Sequence, residues 1–139
     1  MTGKTINELN IGDSAFVEKT VSESDIYLYA GITMDINPAH INEAEASKSR
    51  FGKRVAHGML SAGFISAALG TRLPGPGTIY LGQEIKFTAP VFIGDTIRAT
   101  VTVQELTLEK NIVRLKTVCT NQDGKTVADG VATVMAPKV

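Results

Sequence analysis

Two short runs hold the residues of this chain that can move protons. Asp35-Ile36-Asn37-Pro38-Ala39-His40 sets a carboxylate and an imidazole across an Asn-Pro turn, and Val55-Ala56-His57-Gly58-Met59 sets the second histidine before a stretch of small and apolar residues. A turn reverses the chain instead of spreading its side chains along a strand, so Asp35 and His40 can converge on one water molecule. Such a pair is acid–base machinery. An aspartate beside Asn-Pro also serves ordinary turns, where its oxygens accept local backbone donors. It is the imidazole of His40 within the same turn, a group type that changes charge near neutral pH, that points to a site. Pro38 fixes one backbone torsion, and Asn37 can tie its side chain to nearby backbone or to a ligand. Gly58 opens the next helix, whose first amides have no internal partners and lie at the positive end of its dipole. A carbonyl oxygen set against the Gly58 amide would be polarised there. Tight packing of the helix start against a strand would also call for a glycine.

The elements that must position these residues are legible from periodicity. Residues 14–21 alternate as a first strand, and Ser22 with Asp25 three residues on forms a capping box for a helix through Ala30, stopped at Gly31. A loop then carries the Asp35–His40 motif, and Asn42 caps a second short helix over residues 43–48. Residues 57–69, HGMLSAGFISAAL, are apolar or small on almost every face, which predicts a helix buried on several sides. Leu73-Pro74-Gly75-Pro76-Gly77 cannot continue that helix. Residues 78–87, 96–106, 111–121 and 126–135 are then long β-branched runs, the last two joined by an Asp123-Gly124 turn. They predict an antiparallel meander wrapped around the one apolar helix, an α+β fold.

The composition narrows the function. A chain of 139 residues fits one domain, 1–139, with a sizeable core. Its 14 basic and 14 acidic residues cancel, so no broad positive field gathers nucleic acid or anionic lipid. The N-terminal segment lacks the continuous apolar centre of a secretion signal, and the apolar stretch 58–70 is shorter than the roughly 20 residues that span a bilayer. These features predict a cytoplasmic protein without membrane or nucleic-acid partners. Cys119, the single cysteine, excludes an internal disulfide and reads as a packed strand residue. Two histidines without clustered carboxylates argue against a metal site. Ser61 and Ser66 lie on the helix without a Gly-x-Ser-x-Gly elbow, and Gly75 and Gly77 lack the Gly-Lys-Ser/Thr of a phosphate loop. Lys53, Arg54, Lys86 and Arg98 could meet substrate phosphates or remain solvated charges.

Taken in order, Asp35-x-Asn37-Pro38-x-His40 with Ala46 after a five-residue gap, His57-Gly58-Met59-Leu60, Leu73-Pro74-Gly75-x-Gly77, Ile79-Tyr80-Leu81-Gly82-Gln83 and Pro90-Val91-Phe92-x-Gly94-Asp95 span nearly the whole chain. In types and spacing they resemble the MaoC-like (R)-specific enoyl-CoA hydratases, including the PhaJ type. The resemblance implies a hot-dog fold, an antiparallel sheet wrapped around a long central helix, and a homodimer with acyl-CoA sites near the subunit interface. It implies that Asp35 and His40 are the catalytic pair holding a water and that the Gly58 amide is the oxyanion donor. It implies a supporting role for Ser66 and a place in the acyl-pocket lining for Leu69. The family often has Gly before the aspartate and a branched aliphatic residue before the histidine, where this chain has Met34 and Ala39. Neither change removes a reacting group, and both bear on loop shape and substrate length.

The expected activity is reversible hydration of short- to medium-chain trans-2-enoyl-CoA to (R)-3-hydroxyacyl-CoA. No cofactor is expected, since coenzyme A is part of the substrate. Its rivals are a 3-hydroxyacyl-[acyl-carrier-protein] dehydratase, an acyl-CoA thioesterase releasing free CoA, and a non-catalytic hot-dog subunit that binds acyl-CoA. A binding module has no need of the Asp35–His40 pair, and a basic docking patch would favour the carrier-protein reading.

Overall fold

Alternating β-branched sequence becomes sheet almost where periodicity places it. The computed structural model describes residues 2–138, and in it β1 (Ser14–Thr20), β2 (Ile79–Phe87), β3 (Thr96–Thr107), β4 (Ile112–Thr120) and β5 (Thr126–Met135) form one antiparallel sheet. Along β3, Ile97, Ala99, Val101 and Val103 face the core, and Val113, Leu115, Thr117 and Cys119 repeat the pattern on β4. The order is β1-β3-β4-β5-β2, so the meander is confined to β3, β4 and β5. The expectation that β2 joins it in sequence is corrected: β2 lies at the far edge, paired with β5. Residues 88–95 cannot close a β2–β3 hairpin because they are occupied elsewhere. Val91 accepts the Ala56 amide at 2.7 Å, and Phe92 bridges to Val55. Gly130 permits the edge pairing, since a Cβ there would lie 1.8 Å from the Glu84 carbonyl oxygen.

The first helix, α1 (Glu23–Thr33), begins at the predicted capping box. Ser22 Oγ accepts the Asp25 amide at 3.1 Å and the Asp25 carboxylate accepts the Ser22 amide at 2.9 Å. Lys19 stands 2.7 Å from the same carboxylate, and its hydrogen bond, followed by the Ser22 amide, holds the Asp25 carboxyl below the usual range. The predicted stop at Gly31 is wrong. A lone glycine costs a helix only about 1 kcal/mol relative to alanine, so α1 runs to Thr33 and ends at Met34, whose φ of 65° lies in the left-handed region. A one-turn helix, α2 (Pro38–Ile41), follows where a loop was expected. Asn42 caps α3 (Glu43–Ala46) as predicted, two residues shorter than residues 43–48.

The central helix is α4 (Gly58–Thr71), with His57 as N-cap. Ile65, Ala68 and Leu69 are fully buried against the sheet, and β1, β2, β3 and β4 all touch the helix. This is the helix-in-sheet layout that the resemblance implies. Its burial is one-sided. Met59 is 55% exposed, and Gly63, Ser66 and Ala67 on the same face are also open. A single sheet covers only one flank of an all-apolar helix, and the exposed Ile79 and Leu81 of the β2 edge add to the uncovered surface.

Candidate active site

The Asp35 loop is held by short-range bonds. Thr33 Oγ1 accepts the Asp35 amide at 3.2 Å, and Asp35 Oδ1 accepts the Asn37 amide at 3.3 Å. Asn37 then acts as N-cap of α2, its Oδ1 accepting the Ala39 amide at 3.0 Å, with Pro38 at the first helical position where its missing N–H is not needed. That single turn is what swings His40 back toward Asp35. His40 Nδ1 donates to the Val55 carbonyl at 2.6 Å, which fixes the ring and leaves Nε2 as its free nitrogen. Val55 is itself pinned by its amide to the Ala39 carbonyl at 3.1 Å and by its bridge to Phe92.

His57 completes the group. Its Nε2 donates to the Asp35 carbonyl oxygen at 2.9 Å, and its ring lies 3.9 Å from that of His40 and 4.5 Å from that of Tyr29. Asp35, His40 and His57 offer donor atoms all within 4.8 Å of one another, so they are also the residues among those described that could hold a metal ion. The arrangement brings a carboxylate and an imidazole nitrogen to one point, where they can share a water. Beside them opens a cavity of about 410 Å³, lined by Asp35, His40, His57, Gly58, Ser61 and Phe87 among others. The Gly58 amide belongs to the first turn of α4 and donates to no backbone acceptor among the described residues. It is free to receive a carbonyl oxygen.

Charge around the cavity is sorted. Arg54 binds Glu23 at 2.6 Å, Glu43 at 2.9 Å and the Tyr27 hydroxyl at 2.9 Å, clasping α1 to α3. Its hydrogen bond is the main cause that lowers the Glu23 carboxyl, and Arg54 is raised further in return. Arg98 pairs with Glu18, Lys53 sits over the Phe92 ring, and Lys86 lines a separate depression on the sheet. The cation that lines the cavity is Arg50, with no carboxylate partner among the described residues. Sequence reading missed Arg50, Phe87 and Ser61; the one available signal was that Ser61 falls one turn after His57. Cys119 is fully buried, its thiol pushed up to about 12 by burial, so it is no nucleophile.

The model of the MaoC like domain matches residues 12–129. This chain belongs to the MaoC-like family. It is 61% identical over 130 residues to an (R)-specific enoyl-CoA hydratase of Rhodospirillum rubrum, covering 94% of this chain and 90% of the relative. The unliganded R-hydratase PhaJ1 of Pseudomonas aeruginosa superposes with a TM-score of 0.93 at 46% identity, over 99% of this chain and 88% of that one. The (R)-hydratase of Aeromonas caviae involved in PHA biosynthesis gives 0.89 at 38% identity, over 93% and 98%. The likeness covers the hot-dog fold in full.

In this MaoC-like chain the remaining sequence expectations separate. Asp35, His40 and Gly58 come together on the cavity wall, and Asn37 supports them from the cap of α2. Ser66 does not join them within one chain. It lies on the open face of α4, whereas Ser61, 3% exposed, lines the cavity instead. Leu69 sits in the core at 1% exposure and does not line this cavity. Met34, where the resemblance places a glycine, adopts the left-handed conformation that a glycine would favour.

Proposed function

We propose that the chain adds water reversibly to short- and medium-chain trans-2-enoyl-CoA, giving (R)-3-hydroxyacyl-CoA. The observation that carries this reading is one cavity wall bearing the Asp35 carboxylate, the His40 ring and the unpartnered Gly58 amide. The thioester carbonyl accepts the Gly58 N–H. As the oxygen of the held water bonds to C3, the C2–C3 π pair shifts to C1–C2 and the carbonyl π pair moves onto the carbonyl oxygen, whose growing charge the amide stabilises. The Asp35–His40 pair takes the water's proton and returns one to C2 as the enolate collapses. The two groups share the proton traffic as a unit. Water is consumed whole and no electrons are exchanged with a third party, so the reaction calls for no redox cofactor.

Arg50 on the cavity wall suits the phosphates of coenzyme A, an anionic carrier that enters with the acyl group. The open flank of α4, Met59, Gly63, Ser66 and Ala67, with the β2 edge, suits a second copy of the chain. A homodimer closed there brings Ser66 into an interface, which is where its supporting role and any contribution of Leu69 to an acyl pocket would operate. No helix among the described residues is long and apolar enough to cross a membrane, in keeping with a cytoplasmic setting. The A. caviae relative's involvement in PHA biosynthesis makes polymer supply the natural use of an (R)-3-hydroxyacyl product.

The test is loss of enoyl-thioester ultraviolet absorbance when purified protein meets crotonyl-CoA, with the product offered to an (R)-specific 3-hydroxyacyl-CoA dehydrogenase. Fast loss with an (R) product is the expected outcome. No loss at short or medium chain length would overturn the reading, and release of free CoA would replace it with thioester cleavage.

A further inference from the structure

The hydration scheme gives the His57 side chain no task, yet its surroundings are the most constrained at the site. The residue is 2% exposed. It occupies the N-cap of α4, a position where side-chain oxygens usually stabilise the helix by accepting its amides, and it makes no such bond. Its ring is therefore not kept for the helix. Nε2 lies 2.9 Å from the Asp35 carbonyl oxygen, and because a carbonyl only accepts, Nε2 carries the proton. The other bonds of Asp35, its amide donating to Thr33 Oγ1 and its Oδ1 accepting the Asn37 amide, are local to the loop. The bond from His57 is the tie that fastens Asp35 itself to the body of the fold, as the two Val55 bonds fasten Ala39 and His40 further along the same segment. The same ring stacks on His40 at 3.9 Å with an interplanar angle of 31°, and is backed by Tyr29 at 4.5 Å. Nδ1 is buried without a partner. A half-satisfied buried imidazole is a poor choice for packing alone, and such orphaned groups mark positions retained for another reason.

We propose that His57 is a positioning residue: its Nε2–H holds the backbone of Asp35 while its ring face holds the plane of His40, so that one side chain sets the distance between the two catalytic groups. This rests on the hydratase reading. Displacement of a reacting group by about an ångström costs on the order of a hundredfold in rate. Loss of the tie lowers turnover without touching substrate affinity, because His57 acts through its neighbours.

Two variants separate the donor from the ring. His57→Phe keeps an aromatic face for His40 and removes the N–H; His57→Gln removes the ring and keeps an N–H able to reach the Asp35 carbonyl. With crotonyl-CoA, His57→Phe is expected to lose about thirty- to a hundredfold in kcat with KM within about threefold of the parent, and His57→Gln to recover about tenfold of that loss. Turnover of His57→Phe within threefold of the parent overturns the proposal. So does a loss carried by KM, or a His57→Gln variant no better than His57→Phe. If neither variant folds, the nitrogen-15 NMR signals of the parent's histidines decide: the His57 proton on Nε2, protected from exchange, supports the tie, and a proton on Nδ1 or rapid exchange refutes it. Failure of the parent itself to hydrate any enoyl-CoA removes the hydratase reading, whereas an active parent with a normal His57→Phe removes only this inference.

Discussion

Replacing Gly58 with alanine separates the two reasons for a glycine at the start of α4. A Cβ built there lies 3.0 Å from Cδ1 and from Cε1 of the Phe87 ring, and 3.2 Å from Cγ. Carbon atoms in good contact stand about 3.5–4.0 Å apart, so the ring must retreat by about half an ångström. Phe87 is 50% exposed and able to turn. Holding its χ angle off its minimum costs about 0.5–1.5 kcal/mol, while alanine in a helix gains up to about 1 kcal/mol over glycine. The two nearly cancel, and Tm is expected to stay within about 5 °C of the parent. Activity has no such compensation. The new methyl stands beside the amide proposed to receive the thioester oxygen, and loss of one oxyanion donor costs about a hundred- to a thousandfold in rate, or about 2.7–4 kcal/mol of transition-state stabilisation. Crotonyl-CoA hydration followed by ultraviolet absorbance, beside a thermal melt, reads both numbers from one preparation. A Gly58→Ala enzyme within threefold of the parent in kcat/KM would refute the placement of the carbonyl at this amide.

Asp35→Asn and His40→Gln should each leave the melt unchanged within a few degrees and lower turnover by about a hundred- to ten-thousandfold; near-normal rates in either variant would remove that residue from the mechanism. Asp25 supplies a pH test of the fold. Its carboxyl is lowered by Lys19 and the Ser22 amide, so its contribution is present above the ordinary value of about 3.9 and fades as pH falls through the folded value. Asp25→Asn should therefore lower Tm by roughly 3–5 °C at neutral pH, from a cap worth about 1 kcal/mol, with the gap to the parent closing below about pH 4; an equal gap at all pH values would refute this assignment. Gly63→Arg tests the open flank of α4, where a side chain meets nothing within 4 Å in one chain. Light scattering should report a monomer with an unchanged far-ultraviolet spectrum, and an intact dimer would place the interface elsewhere.

Sequence reading succeeded where the cause is local. The capping box at Ser22, the Asn42 cap and β3 to β5 follow from spacing and β-branched alternation, which neighbouring residues decide. It failed where distant residues decide. Gly31 looks like a helix stop, but the left-handed turn comes at Met34. Order along the chain suggests that β2 pairs with β3, yet Val91 and Phe92 are claimed by the segment before α4. At the site, the Asp35–His40 pair was legible because only four residues, one of them a proline, separate its members. Arg50 and Phe87 were not, since nothing in their own neighbourhoods marks them; they reach the cavity only through folding. Ser61 and Ser66 show the same limit, because an all-apolar helix gives no sequence clue to which of its faces meets the sheet.

The edge position of β2 bears on how the candidate cavity comes into being during synthesis. Phe87, at the end of β2, forms one wall, and β2 is held in the sheet by β5, whose Ala128 pairs with Phe87 and whose Val127 lines the same cavity. The loop carrying Asp35 and His40 leaves the ribosome far ahead of both. A chain arrested after β4 has its proton-moving groups and its central helix, but no partner for β2 and hence no cavity wall. Pairings across so many residues form late, after loop closure over the intervening chain. The complete pocket is thus a product of the last strand, and the nascent protein passes through most of its translation without the wall that the proposed chemistry of its first half requires.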